Sequence, residues 1–259
     1  MKVGFLVSFF AFFLTPSLAS ETLSSQVLKV VTTSYALYNV DTEGNLNGYS
    51  TQVVKALLRE LNQEAQIEVL PWARAYNVGL TRPNTLIYSI AKTQARNDKF
   101  HWVGRILPMD SYLYQASNRT DLKIETFDDI GKLIVGGVNE GAPTQWLEQR
   151  KVNVLKMASN SRLNLQMLLK GRLDLIVMDP ASLAIEMRQA NIDKDAIKPV
   201  LYLPEPSYDL YLALSLGSSL ELQKQVETAF ENLRLSGQYD KIVSAFYKKY
   251  ANFTLASEK

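Results

Sequence analysis

Residues 91–104 read AKTQARNDKFHWVG, and this stretch decides the fold. The apolar residues Leu86, Ile87 and Ile90 precede it and predict a buried strand over 85–90. Lys92, Thr93, Gln94, Ala95 and Arg96 then form a short polar turn that ends in one arginine. Phe100 and Trp102 restart an apolar segment that closes at Gly104. An arginine on a rigid strand-exit turn grips a carboxylate through two parallel hydrogen bonds, which a lysine cannot match. The spacing alone fits a solvated surface arginine equally well.

Upstream, 28–33 (LKVVTT) predicts a first strand, followed by a polar loop with Tyr35 and Tyr38. Gly48 and Tyr49 open a helix to about Leu61, with Val53, Val54, Leu57 and Leu58 on one face. Residues 66–70 predict a strand ended by Pro71, which starts a helix beginning Trp72-Ala73-Arg74. Trp72 and Arg74 follow a strand's C-terminal end, where ligands bind in open α/β sheets. An indole beside a guanidinium binds a planar or anionic ligand; Trp72 as a packing anchor is the plainer alternative.

Residues 111–118 alternate apolar and polar, and 127–130 predict a short helix. A second α/β unit begins at Lys132, with strands over 133–137 and 152–157. Between them, Gly137 to Gly141 is a turn, and Pro143 opens a helix to Arg150. That helix N-terminus is a natural anion site. Ser159, Asn160 and Ser161 cap a helix that Gly171 stops. The strand 173–178 leads to Asp179, and Pro180 opens the next helix. Asp174 caps or braces that strand's start, and Asp179 doubles as an N-cap. Strands over 197–203 and 208–216, a rigid 204–206 loop and two amphipathic helices broken at Gly237 complete the chain.

The order and spacing of these motifs resemble the type 2 periplasmic solute-binding proteins of the polar amino acid family. Thr93 and Arg96 match its T-x-x-R signature, and the run from Leu168 to Asp179 matches its Leu-x-x-Gly-x-x-Asp-x-x-x-x-Asp segment. The resemblance implies an α/β, two-lobed fold with two hinge strands. Lobe 1 would take 20–110 plus 217–259, lobe 2 would take 119–207, and 111–118 and 208–216 would cross between them. It implies that Arg96 grips the ligand's α-carboxylate and Asp179 its amino group, so the two form a zwitterion clamp. Ser89 and Ala91 align with ligand-contacting positions, and Ala91 offers only its backbone. Tyr38 or Tyr35 would stack on the ligand, beside Trp72 and Arg74. Gly141 matches the turn aimed at the carboxylate, where Ala142 lacks the usual hydroxyl and Thr144 replaces it. Ser50 and Gln52 stand where the family has two acidic residues, and Trp102 near its Phe-Ser pair, so the resemblance is to a divergent subgroup.

Composition bounds the remaining functions. Met1-Lys2, an apolar run from Val3 to Leu14 and small residues before Ser20 form a secretory leader cut after Ala19. The run is too short for a comfortable membrane span. The remaining chain is expected to be periplasmic. With no cysteine and one histidine, His101, a zinc site of the usual ligands cannot be assembled. No cofactor is expected. A net charge of +2 with scattered basic residues gives no nucleic-acid signature. The expectation is a monomeric, non-enzymatic binding protein that hands a small ligand to an inner-membrane ABC permease. Two alternatives share the fold: a cyclohexadienyl-type dehydratase using Glu140 or Asp179 as general acid, and a ligand-sensing module for a membrane receptor.

Overall fold

The computed structural model describes residues 28–157, 161–204 and 208–254. The leader over 1–19, the caps Ser159 and Asn160, and the Glu205-Pro206 part of the rigid loop lie outside these residues.

The chain folds into two five-stranded sheets. The first uses β1 (Lys29–Thr32), β2 (Ile67–Val69), β3 (Thr85–Ala91) and β4 (Phe100–Leu107), joined by β10 (Leu210–Ser215). Its order is β2-β1-β3-β10-β4. The second uses β5 (Ser111–Ala116), β6 (Ile134–Val138), β7 (Asn153–Met157), β8 (Leu175–Met178) and β9 (Ile197–Leu203), in the order β7-β6-β8-β5-β9. In each, three parallel strands are extended by two more through antiparallel pairings, so that one strand runs against the other four. Parallel neighbours need helical crossovers. In lobe 1 these are α1 (Tyr49–Glu60) and α2 (Trp72–Thr81). In lobe 2 they are α3 (Ala142–Gln149) and α4 (Ser161–Leu169), with α5 (Pro180–Gln189) after β8. Helices α6 (Leu220–Leu235) and α7 (Gln238–Thr254) pack on lobe 1, and α7 also touches α5.

β5 and β10 were expected to be the crossings themselves. Each instead belongs to one sheet: β5 lies between β8 and β9, and β10 between β3 and β4. The chain therefore changes lobe just before each strand, between Leu107 and Ser111 and between Leu203 and Leu210. The resemblance had marked both as crossings, whereas each is hydrogen-bonded on both edges within one sheet. β4 also runs three residues past Gly104, to Leu107.

The N-terminus of α1 shapes the tyrosine loop. Its N-cap is Gly48, which has no capping side chain. Its first N–H groups bond backbone instead: Tyr49 N donates to Leu37 O and Ser50 N to Tyr38 O. A Cβ at Gly48 would sit 2.6 Å from the Tyr38 carbonyl. This close seating holds the turn that carries Tyr35 and Tyr38, with Leu37 at φ 64°. Gly48→Ala should lower unfolding stability by about 1–3 kcal/mol, the usual penalty for overpacking. A shifted urea midpoint reads this directly; an unchanged midpoint would show that the turn yields freely.

Candidate functional site

Arg96 ends a 3-10 turn (Gln94–Arg96) directly after β3. The turn closes through Arg96 N to Thr93 O, 3.0 Å, and Trp102 Nε1 braces it by donating to Asn97 O, 2.9 Å. The side chain is 1% exposed. Its Nη1 donates to Ala91 O at 3.3 Å, and its Nη2 to Glu140 O at 2.7 Å and Gln145 Oε1 at 3.1 Å. Nε is buried with no partner. The guanidinium carbon lies 4.9 Å from the Tyr76 ring centre and 5.6 Å from that of Trp72. Burial lowers its pKa, opposed by Tyr76 and more weakly by Glu140. Among the described residues it makes no ion pair.

Asp179 sits on lobe 2 as the N-cap of α5. Its Oδ1 accepts from Ser182 N and Tyr38 Oη, both at 2.9 Å, and its Oδ2 from Tyr35 Oη at 2.8 Å. All three donors are neutral, and two come from the opposite lobe. Asp179 is 4% exposed and likewise has no ion pair among the described residues. Three of about four acceptor sites on a carboxylate are thus used, and one remains.

A cavity of about 160 Å³ lies between the lobes and is lined by both charges. Trp72, Ser89, Ala91, Gly141 and Thr144 also line it. Ser89 is the strained point: φ is 59°, inside a strand. β10 skips it, pairing Tyr211 with Ile90 and Leu212 with Tyr88, so Ser89 sits at a bulge. Its hydroxyl donates to Asn39 Oδ1, and Asn39 is tied to Thr32 Oγ1 and Thr33 O. Gly141 and Thr144 bring the N-terminus of α3 to the wall. The usual hydroxyl position is Ala142, also on the wall.

Two expected residues lie elsewhere. Arg74 is exposed and absent from the cavity wall, close enough to Glu68 to lower that carboxyl's pKa behind the larger effect of Lys29. The reason is helical phase: α2 starts at Trp72, so Arg74 points about 200° away. Tyr38 is buried behind the wall, and Tyr35 takes the lining place. Tyr38 reaches the site through its bond to Asp179.

Several wall residues were not singled out from the sequence. Tyr208 and Met109 enter from the two crossing segments, and Ser182 from the first turn of α5. Ser182 Oγ is buried without a hydrogen-bond partner. Its signal was present: the third residue after an N-cap aspartate faces that carboxylate. Glu140, read as a possible acid, contributes its backbone instead. At φ 58° its carbonyl accepts from both Arg96 Nη2 and Trp72 Nε1, 2.7 Å each, which joins the lobes. Its side chain accepts from Gln145 Nε2 at 2.8 Å and is not part of the wall. Thr93 Oγ1 is buried and unpartnered, and turned away from the cavity. No group of histidine, cysteine or carboxylate side chains among the described residues is placed to hold a metal. No described helix is long and apolar enough to cross a membrane.

No protein-family model matches this chain, and no curated protein matches it in sequence. Solved structures match its fold. A histidine kinase sensor domain with similarity to periplasmic binding proteins superposes with a TM-score of 0.74 at 15% identity, covering 85% of this chain and 96% of that one. An ancestral arginine-binding protein bound to arginine gives 0.70 at 19%, covering 88% and 97%. A structure from work on glutathione import via GshT and the cystine ABC importer TcyBC of Streptococcus mutans gives 0.71 at 14%, covering 85% and 93%. The chain has the two-lobed fold of the type 2 periplasmic binding proteins.

Burial raises the phenol pKa of Tyr35, Tyr88, Tyr114 and Tyr208, with Asp179 adding to the effect at Tyr35 and Tyr114. For Tyr88 the value is about 12, against 10.0 in the free side chain. The folded state thus keeps protons that the unfolded chain loses above pH 10. The stabilisation is complete below that pH and is lost as pH rises through 10 toward 12. The urea midpoint should fall over this window, and Tyr88→Phe should flatten the fall. A flat profile would show that these phenols ionise in the folded protein.

Proposed function

We propose that this protein is a solute-binding protein that closes its two lobes on a small polar ligand, an amino acid or similar zwitterion. One observation carries the reading. Arg96 and Asp179 are opposite charges, buried on opposite lobes, unpaired with any other charged side chain described, and facing one cavity.

An uncompensated buried charge is unfavourable by several kcal/mol. Neutral carbonyls and hydroxyls offset part of that. A ligand carboxylate at the free Nε of Arg96 and a ligand ammonium at the free acceptor site of Asp179 would offset more. Trp72 and Tyr35 would wall the ligand, and Ser89, Ala91, Gly141 and Thr144 would present backbone groups and hydroxyls to it. Closure would be a hinge motion about the two crossing segments, driven by contacts that exist only in the closed state.

The exported character read from the leader and the shared fold support a periplasmic protein that delivers its solute to an ABC permease, the setting named for the glutathione-import structure. The sensory alternative is favoured by the likeness to a histidine kinase sensor domain. It keeps the same site and changes only the partner. The dehydratase alternative loses Glu140, whose carboxylate is not on the wall.

Arg96→Ala and Asp179→Asn should each weaken binding about 100-fold or more, since each strands the ligand's opposite charge. Arg74→Ala should leave affinity unchanged. Titration calorimetry on variants with native circular dichroism tests this; full affinity in either clamp variant would contradict the reading.

A further inference from the structure

The clamp fixes the two ends of a zwitterion and leaves open what its side chain is. We propose that the cavity takes an amino acid with a short, uncharged side chain and excludes basic and acidic ones. This rests on the reading of Arg96 and Asp179 as the clamp.

Three observations support it. Among the described residues, Arg96 and Asp179 are the only charged side chains on the wall. If both hold the ligand's backbone groups, no opposite charge remains among the described wall residues for a third ligand charge. A buried charge without a partner is strongly disfavoured. What remains is apolar or hydroxylic: Met109, Val177, Met178, Tyr208 and Leu210, with the unpartnered hydroxyl of Ser182.

The second observation is size. The cavity of about 160 Å³ is close to the ~150 Å³ that houses a single benzene in a protein interior. Arginine and lysine have about twice the heavy atoms of benzene, so their side chains would reach beyond this volume. The third is the seal. Trp72 and Arg96 both bond Glu140 O, and Arg96 also bonds Gln145 Oε1. A long side chain could leave the cavity on this side only by breaking those bonds, and with them the closure that binding requires. The ancestral arginine-binding protein thus shares the fold, while among the described residues this chain's wall has no counter-charge for an arginine side chain.

The test is a melting-temperature panel on the purified protein, followed by calorimetry. The probes are L-alanine, L-serine, L-threonine and L-valine against L-arginine, L-lysine and L-glutamate. At least one neutral probe should raise Tm by about 5 °C at saturation. Its Kd should be at least ~100-fold lower than that of any charged probe. Ser182→Ala, which keeps the backbone N–H to Asp179, should weaken the neutral probe several-fold. Tight binding of a charged probe that is lost in Arg96→Ala would overturn the size and charge inference and leave the clamp standing. Binding of no amino acid of either kind would overturn both.

Discussion

A guanidinium sealed from water without a carboxylate partner is the constraint around which this molecule is arranged. Arg96 has two ring faces, three oxygen acceptors and no anion within ion-pair distance among the described residues. Such an arginine is tolerable only if its surroundings fix its fork in place. The 3-10 turn does this, held by Thr93 on one side and by Trp102 through Asn97 on the other. The strand before it ends in a bulge at Ser89, which puts hydroxyl and backbone on the same wall.

The opposite charge is arranged by the same logic. Asp179 is solvated by two tyrosine hydroxyls from lobe 1 and by one N–H of its own helix. Each buried charge therefore draws hydrogen bonds from the other lobe: Glu140 O and Gln145 reach Arg96, and Tyr35 and Tyr38 reach Asp179. These bonds tie the two lobes together from both sides of the cleft. A carbonyl and a phenol are weaker partners than full charges. In the proposed reading, closure and ligand capture share the same two anchors.

Much of this was legible in the sequence. The resemblance pointed to Arg96 and Asp179, and both line the cavity; spacing alone left Arg96 equally open as a surface residue and gave Asp179 only as an N-cap. Helix and strand periodicity placed nearly every element within a few residues. What failed had physical causes. Arg74 looked like a neighbour of Trp72 because adjacency in sequence hides the helical phase that separates them. β5 and β10 were read as crossings from the resemblance, because the apolar pattern of a strand does not report which sheet it joins. The roles of Tyr35 and Tyr38 stayed open because a left-handed residue, Leu37, sets which ring meets the cavity. Glu140 acts through its carbonyl, and no side-chain pattern encodes that.

Deleting half of the ligand's charge tests the paired clamp most directly. The best-binding amino acid and the same molecule without its amino group would be titrated side by side by calorimetry. If Asp179 keeps an acceptor site for the ammonium, the des-amino acid should bind about 100-fold more weakly, the loss expected for one partner of a buried charge pair. Equal affinities would show that Tyr35, Tyr38 and Ser182 already satisfy Asp179. The protein would then be a receptor for simple carboxylates held by Arg96 alone.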